Sequence, residues 1–206
     1  MRKTRVLIVD DHAIVRMGIA SILGTKKDIE VVGDAEDGET AVAKARRLSP
    51  DVVLMDIVLP EMDGAPATAE ILRRQPSAKV LILTSFGAAD GIAHALRAGA
   101  TGALMKNIDY SELVDAIRTV AAGGTVIAPE IRKMLNESPP VPELTERQQA
   151  ILRSMASGLR DTDIADQLHL TANGVREHIT TIFNKIGAVN RAEAVAIALR
   201  KHLLKP

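Results

Sequence analysis

Five times between residues 4 and 122, a short apolar run rich in β-branched residues is followed by an amphipathic stretch. This alternation narrows the fold more than any other feature. A strand that reads apolar throughout is buried on both faces, and intervening helices join such strands in parallel. Hydrophobic spacing places the predicted strands at 4–9, 30–34, 51–56, 79–84 and 101–105. The same reading places helices at 12–23, 37–48, 64–75, 89–98 and 109–121. Asp37, just ahead of Gly38-Glu39, marks a helix start, and Gly99 and Gly123 mark helix stops. The expected fold class is α/β, a five-stranded doubly wound parallel sheet.

Beyond residue 122 the pattern breaks. Gly123-Gly124 opens the interruption, Pro129-Glu130 seeds a short helix to about Leu135, and the proline-rich run from Asn136 to Glu143 reads as an extended linker. An all-α segment follows, with predicted helices at 146–157, 161–168, 172–186 and 190–204. The expected domains are therefore 1–122, a linker over 123–143, and a four-helix domain over 144–206. Charge follows the same division. Residues 144–206 hold nine Lys/Arg against six Asp/Glu, while residues 1–143 hold seventeen against twenty. The basic part suits a polyanion and the acidic part does not. The chain has no cysteine, which excludes disulfides, thiol catalysis and Cys-ligated zinc. The apolar run after the basic start is too short for a secretory core, and no stretch approaches a membrane span. A cytoplasmic protein with no membrane association is expected.

Parallel strands deliver their C-terminal ends to one edge, where open α/β sheets place their sites. Here those ends carry Asp10 with Asp11, Asp56, the pair Thr84-Ser85, and Lys106. Three carboxylates at adjacent strand ends repel one another unless a cation neutralises them. Mg²⁺ is a hard cation suited to carboxylates, carbonyls and water, so it is the natural choice. With a lysine and a hydroxyl beside it, such a crevice suits phosphoryl transfer.

These residues, with the run Asp56-Ile-Val-Leu-Pro-Glu-Met-Asp-Gly64, make residues 1–122 resemble the CheY-like receiver domains of two-component systems. The resemblance implies a (βα)5 fold with strand order 2-1-3-4-5. It implies that Asp56 is the phosphoacceptor, an aspartyl nucleophile of the kind that forms acyl phosphates. Asp10, Asp11, Asp56 and the backbone carbonyl of Val58 would hold Mg²⁺, while Thr84 and Lys106 would bind the phosphoryl group. One position departs from the family. Ala103 stands three residues before Lys106, where an aromatic usually swings inward. The signal is then expected to pass through the loop from Thr84 to Gly91 and the following helix, loosely specified by Gly87 and Gly91. Tyr110 and Phe86 are alternative aromatics. Asn107 follows the lysine where many receivers have proline.

In the second segment, Thr145 is an expected N-cap of 146–157 and Asp161 of the next helix. The tight turn His169-Leu170-Thr171 joins two helices as in a helix-turn-helix. Val175, Ile179, Ile182 and Ile186 form one apolar stripe on 172–186. The opposite side carries Asn173, Glu177, Thr180 and Asn184, flanked by Arg176, Thr181 and Lys185. These are base-reading and phosphate-binding types, and a glutamate there can accept from a cytosine amine. His178 borders the apolar stripe and is read as a packed side chain.

The stretch resembles LuxR/NarL-type DNA-binding domains through Leu144-Thr145, Arg147, Gly158-Leu159, Asp163-Ile-Ala165, Val175-Arg176, His178, Lys185-Ile186 and Arg191-Ala-Glu-Ala194. Gly174 stands where that family favours threonine. The apolar surface of 190–204 is wider than one stripe, which suits packing on the domain and on a second copy. Taken together, the resemblances imply a two-component response regulator, a transcription factor and not an enzyme. A sensor histidine kinase would phosphorylate it, and it would bind double-stranded DNA as a homodimer when active. A constitutive DNA binder whose receiver only dimerises is the alternative. A phosphatase of the haloacid dehalogenase type is a more distant one, because its nucleophile normally ends the first strand.

Overall fold

A computed structural model describes residues 2–85, 89–137, 144–200 and 203–204. It divides into two compact units, Met1–Pro139 and Pro140–Pro206. The first unit contains β1 (Thr4–Val9), α1 (Ala13–Gly24), β2 (Ile29–Ala35), α2 (Gly38–Leu48), β3 (Val52–Met55) and α3 (Gly64–Arg74). It continues with β4 (Lys79–Thr84), α4 (Ala89–Arg97), β5 (Gly102–Met105), α5 (Tyr110–Ala121), β6 (Val126–Ile127) and α6 (Pro129–Glu137). The strands form one sheet in the order β2-β1-β3-β4-β5-β6, and every pairing is parallel.

Successive strand residues point to opposite faces, and the core divides accordingly. Leu7, Val9, Val53, Met55, Val80, Ile82 and Ala103 face a layer that includes Ala41, Ala45, Ala67, Ile71, Ile92 and Ala95 of α2, α3 and α4. Val6, Ile8, Leu54, Leu81 and Leu104 face Ile19 and Leu23 of α1 and Leu113, Ile117 and Val120 of α5. Both faces are covered, which is why the strand sequences lack the alternation of a half-exposed sheet.

The expected sheet of five strands is corrected to six, and the expected linker begins later than residue 123. Val126 and Ile127 pair with Gly102 and Ala103, and Ile131 of α6 is fully buried in the first core. A two-residue strand after a glycine pair is too short to carry a periodic signal. The remainder of that expected linker, 138–143, lies outside the described residues.

The second unit contains α7 (Glu146–Ala156), α8 (Asp161–Leu168), α9 (Ala172–Ile186) and α10 (Arg191–Arg200). Its core includes Ile151, Leu152, Met155, Ile164, Val175, Ile179, Ile182, Ala194 and Ile197. Thr145 caps α7 in a reciprocal box with Gln148. Asp161, the expected cap of α8, is instead its first residue. Asp163 accepts from the Arg160 backbone N–H at 3.2 Å in its place.

Candidate functional site

The ladder hydrogen bonds run past the strand ends and fix the crevice. Asp56 N–H donates to the Val9 carbonyl at 3.0 Å, and Lys106 N–H donates to the Thr84 carbonyl at 2.8 Å. Asp10, Asp56 and Thr84 are thereby buried side by side at 2%, 4% and 1% exposure. Lys106 Nζ lies 2.6 Å from Asp10 Oδ2 and 2.6 Å from Asp56 Oδ2, so one ammonium bridges both carboxylates. Asp56 Oδ1 accepts from the Ile57 N–H at 2.7 Å. Burial pushes the Asp56 carboxyl above its usual range, against the pull of Lys106 and the Ile57 N–H, and the Asp10 charge pushes the same way as burial. Burial alone would lower Lys106, but its bonds to Asp10 and Asp56 outweigh that and hold it above the usual lysine value.

Asp11 is exposed at the rim and pairs with His12 Nδ1 at 2.6 Å. Among the described residues, Asp10, Asp11 and His12 form a group whose ligand atoms lie within 4.8 Å of one another. The chemistry of this donor set fits a hard divalent cation: Asp10 and Asp11 offer carboxylate oxygens to one point, and Asp10 shares the Lys106 ammonium with Asp56, which is itself not part of that group. Val58 is 56% exposed on the loop after Asp56, and among the described residues Thr84 Oγ1 makes a single, long 3.4 Å bond, to the Ser85 carbonyl. Two residues without an expected role join the site. Besides His12, Arg16 Nη1 donates to the Asp10 carbonyl at 2.7 Å, while its Nε pairs with Asp34 at 2.8 Å. A basic residue one helical turn into α1 is the only trace of this in the sequence.

The loop behind Asp56 requires glycine. A Cβ on Gly64 would lie 1.9 Å from the Asp56 carbonyl oxygen. The expectation that Gly91 loosens the segment before α4 is corrected. Gly91 lies inside α4, where a Cβ would come within 2.4 Å of Ile57 Cγ2. α4 is therefore packed directly on the neighbour of Asp56. Tyr110 is 59% exposed at the start of α5 and does not fill the place of an inward aromatic. Phe86 and Gly87 lie outside the described residues. Ala103 is fully buried on the face shared with α6.

In the second unit, His169 adopts a left-handed conformation (φ 52°) that ends α8, and Thr171 caps α9 by accepting from Gly174 N–H at 3.0 Å. Val175, Ile179, Ile182 and Ile186 are buried as their spacing requires. Asn173, Arg176, Glu177, Thr180, Thr181 and Asn184 are all exposed on the other side of the helix, and Lys185 is half-buried. Lys185 donates to Gln148 Oε1 at 3.0 Å. His178 lies beside the stripe. An ion pair not anticipated from sequence, Arg191 Nη1 to Asp161 at 2.8 Å, ties the start of α10 to the start of α8.

The architecture defines a phosphate-type acidic crevice at the carboxyl edge of a doubly wound sheet, carried on one chain with a helix-turn-helix unit. Residues 6–118 match the response regulator receiver domain, and residues 142–198 match the bacterial regulatory proteins of the luxR family. The chain belongs to the response regulators with a receiver domain and a LuxR-type DNA-binding domain. It is similar to the response regulator protein VraR of Staphylococcus aureus, 39% identical over 98% of this chain and 99% of that one. It is also similar to the crystal structure of the response regulator ChrA of a heme-sensing two-component system. That structure is 33% identical, covers 99% of this chain and 100% of its own, and gives a TM-score of 0.59. The fold is shared with RcsB in the structure of an RcsB–DNA complex, 23% identical, with 97% and 99% coverage and a TM-score of 0.64. This family consists of DNA-binding transcription regulators rather than enzymes. Among the described residues, no helix is long and apolar enough to cross a membrane.

Proposed function

We propose that Asp56 is the phosphoacceptor of this response regulator, that a sensor histidine kinase is its phosphodonor, and that phosphorylation switches its affinity for promoter DNA. The observation that carries the reading is the buried Asp10–Lys106–Asp56 bridge, with both Nζ–O distances at 2.6 Å. An Asp56 oxygen attacks phosphorus, and the P–N bond to the kinase imidazole breaks with its electron pair leaving on nitrogen. The acyl phosphate adds about −1.5 to −2 charge to a buried site. Lys106 is already in place to neutralise it, and the Thr84 hydroxyl can donate to a phosphoryl oxygen. Asp10, Asp11, Asp56 and the Val58 carbonyl are the groups that would hold Mg²⁺, which supplies further charge neutralisation when bound. A cytoplasmic setting suits these partners.

On the output side, Asn173, Arg176, Glu177, Thr180, Thr181, Asn184 and Lys185 are the proposed DNA contacts, because α9 carries them on or beside the side opposite its buried stripe. A homodimer in the active state is supported by Val189 and Leu199, apolar yet 83% and 59% exposed at and near α10. The burial of Ile131 of α6 in the first core supports a receiver that extends beyond residue 122 at least through α6, with 144–206 kept as the DNA-binding domain.

The test treats wild type and Asp56→Asn with Mg²⁺ and a small acyl phosphate, then measures mass and promoter footprinting. The expected result is a phosphoryl mass increase and tighter footprinting in wild type alone. Ala103, in place of a switching aromatic, favours the second reading of a constitutive DNA binder. Equal promoter occupancy by wild type and Asp56→Asn under phosphodonor would establish that reading.

A further inference from the structure

Glu177 is an anion on a surface proposed to meet a polyanion, and the surroundings give it no structural use. Its helical neighbours at three and four residues are Asn173, Gly174, Thr180 and Thr181, none of them a cation. It lies beyond the first turn of α9, so the helix dipole does not favour it there. Among the described residues it has no ion pair, and it is exposed. The groups around it are committed elsewhere. Arg176 Nη1 donates to Asn173 Oδ1 at 3.2 Å, Thr180 Oγ1 to the Arg176 carbonyl at 2.9 Å, and Thr181 Oγ1 to the Glu177 carbonyl at 2.9 Å.

A carboxylate on a groove-facing helix is repelled by phosphate oxygens and can only accept hydrogen bonds. In the major groove the donors are the cytosine N4 amine and the adenine N6 amine. Guanine offers two acceptors, and thymine an acceptor and a methyl group. Adenine places its N7 acceptor beside N6, where it repels a second carboxylate oxygen. Cytosine has no acceptor next to N4 on its groove edge. We infer that Glu177 is a specificity-determining residue that selects a cytosine in each half-site and disfavours non-specific duplex. This rests on the reading of α9 as the helix that enters the groove.

The experiment selects binding sites from a random duplex pool with the full-length chain, treated with acyl phosphate and Mg²⁺. Wild type is compared with Glu177→Gln and Glu177→Ala, each first shown to be folded by circular dichroism. Wild type is expected to enrich cytosine at one position per half-site, about fivefold or more over other bases. A glutamine amide can donate as well as accept and pairs bidentately with adenine N6 and N7, so Glu177→Gln should move the preference from cytosine to adenine. Glu177→Ala should lose the preference and bind non-specific duplex more tightly. If all three proteins enrich the same sequences, Glu177 reads no base and the inference is overturned. If none retains any duplex at low salt, the DNA-binding role of α9 falls first and this inference with it.

Discussion

At the scale of single residues, two glycines of the first unit behave oppositely although both lie inside helices. A Cβ on Gly18 of α1 would meet nothing within 4 Å, whereas one on Gly91 of α4 would lie 2.4 Å from Ile57 Cγ2. Alanine restricts the unfolded chain more than glycine and suits a helix better. Gly18→Ala is therefore expected to stabilise the protein by up to about 1 kcal/mol. Gly91→Ala should destabilise it by about 1–3 kcal/mol, because Ile57 or α4 must shift. Urea unfolding of both variants checks the opposite signs, and a neutral Gly91→Ala would show that α4 does not press on Ile57. The contact also bears on signalling. Ile57 N–H holds Asp56 Oδ1, so its side chain links the proposed phosphoacceptor to α4 without the aromatic that Ala103 replaces. The charged and hydroxyl groups of the crevice are legible in the sequence because each ends an apolar run. The Gly91 contact is not, because glycine signals equally a loose loop and a place where two elements approach closely.

Among the elements, β6 and α6 are the least legible, and the reason is physical. β6 has two residues, and α6 buries Ile131 completely while Met134 and Leu135 are only partly covered. β6 gives no pattern that separates it from a linker, and α6, read from Pro129-Glu130 as a short helix, gives none that ties it to the sheet. What fixes them is tertiary. The Ala128 N–H donates to the Ala103 carbonyl at 2.9 Å, and Gly102 has no room for a Cβ because the Val126 carbonyl oxygen would lie 2.4 Å away. α6 should therefore unfold with the sheet and not as an independent linker. Ile131→Ala is expected to cost about 2–5 kcal/mol, as for other large-to-small changes in a packed core. Urea denaturation followed by circular dichroism measures it, and a loss below about 0.5 kcal/mol, far under that core range, would show that α6 is not part of the receiver core. By contrast, α9 is legible nearly to the residue. A fifteen-residue helix with one apolar stripe, a threonine cap and Gly187 at its C-terminal end (φ 75°) carries every local signal at once.

For the whole molecule, charge separates the two units although the chain is neutral overall. The receiver side carries the negative excess, so DNA attraction must come from the nine Lys/Arg of residues 144–206, offset by six acidic groups. Two of those cations are occupied internally: Arg160 pairs with Asp163 and Arg191 with Asp161. The number of phosphates one copy neutralises is consequently small, about two to four, and the affinity should fall with salt at a log–log slope of about −2 to −4. If phosphorylation acts by bringing two copies onto one site, both copies release counterions and the slope should roughly double. If it acts only by exposing α9 within one copy, affinity rises at a fixed slope. Fluorescence anisotropy on a selected operator across a salt series, with and without phosphodonor, separates the two. An unchanged slope accompanied by tighter binding would leave the switch intact and remove the homodimer from it.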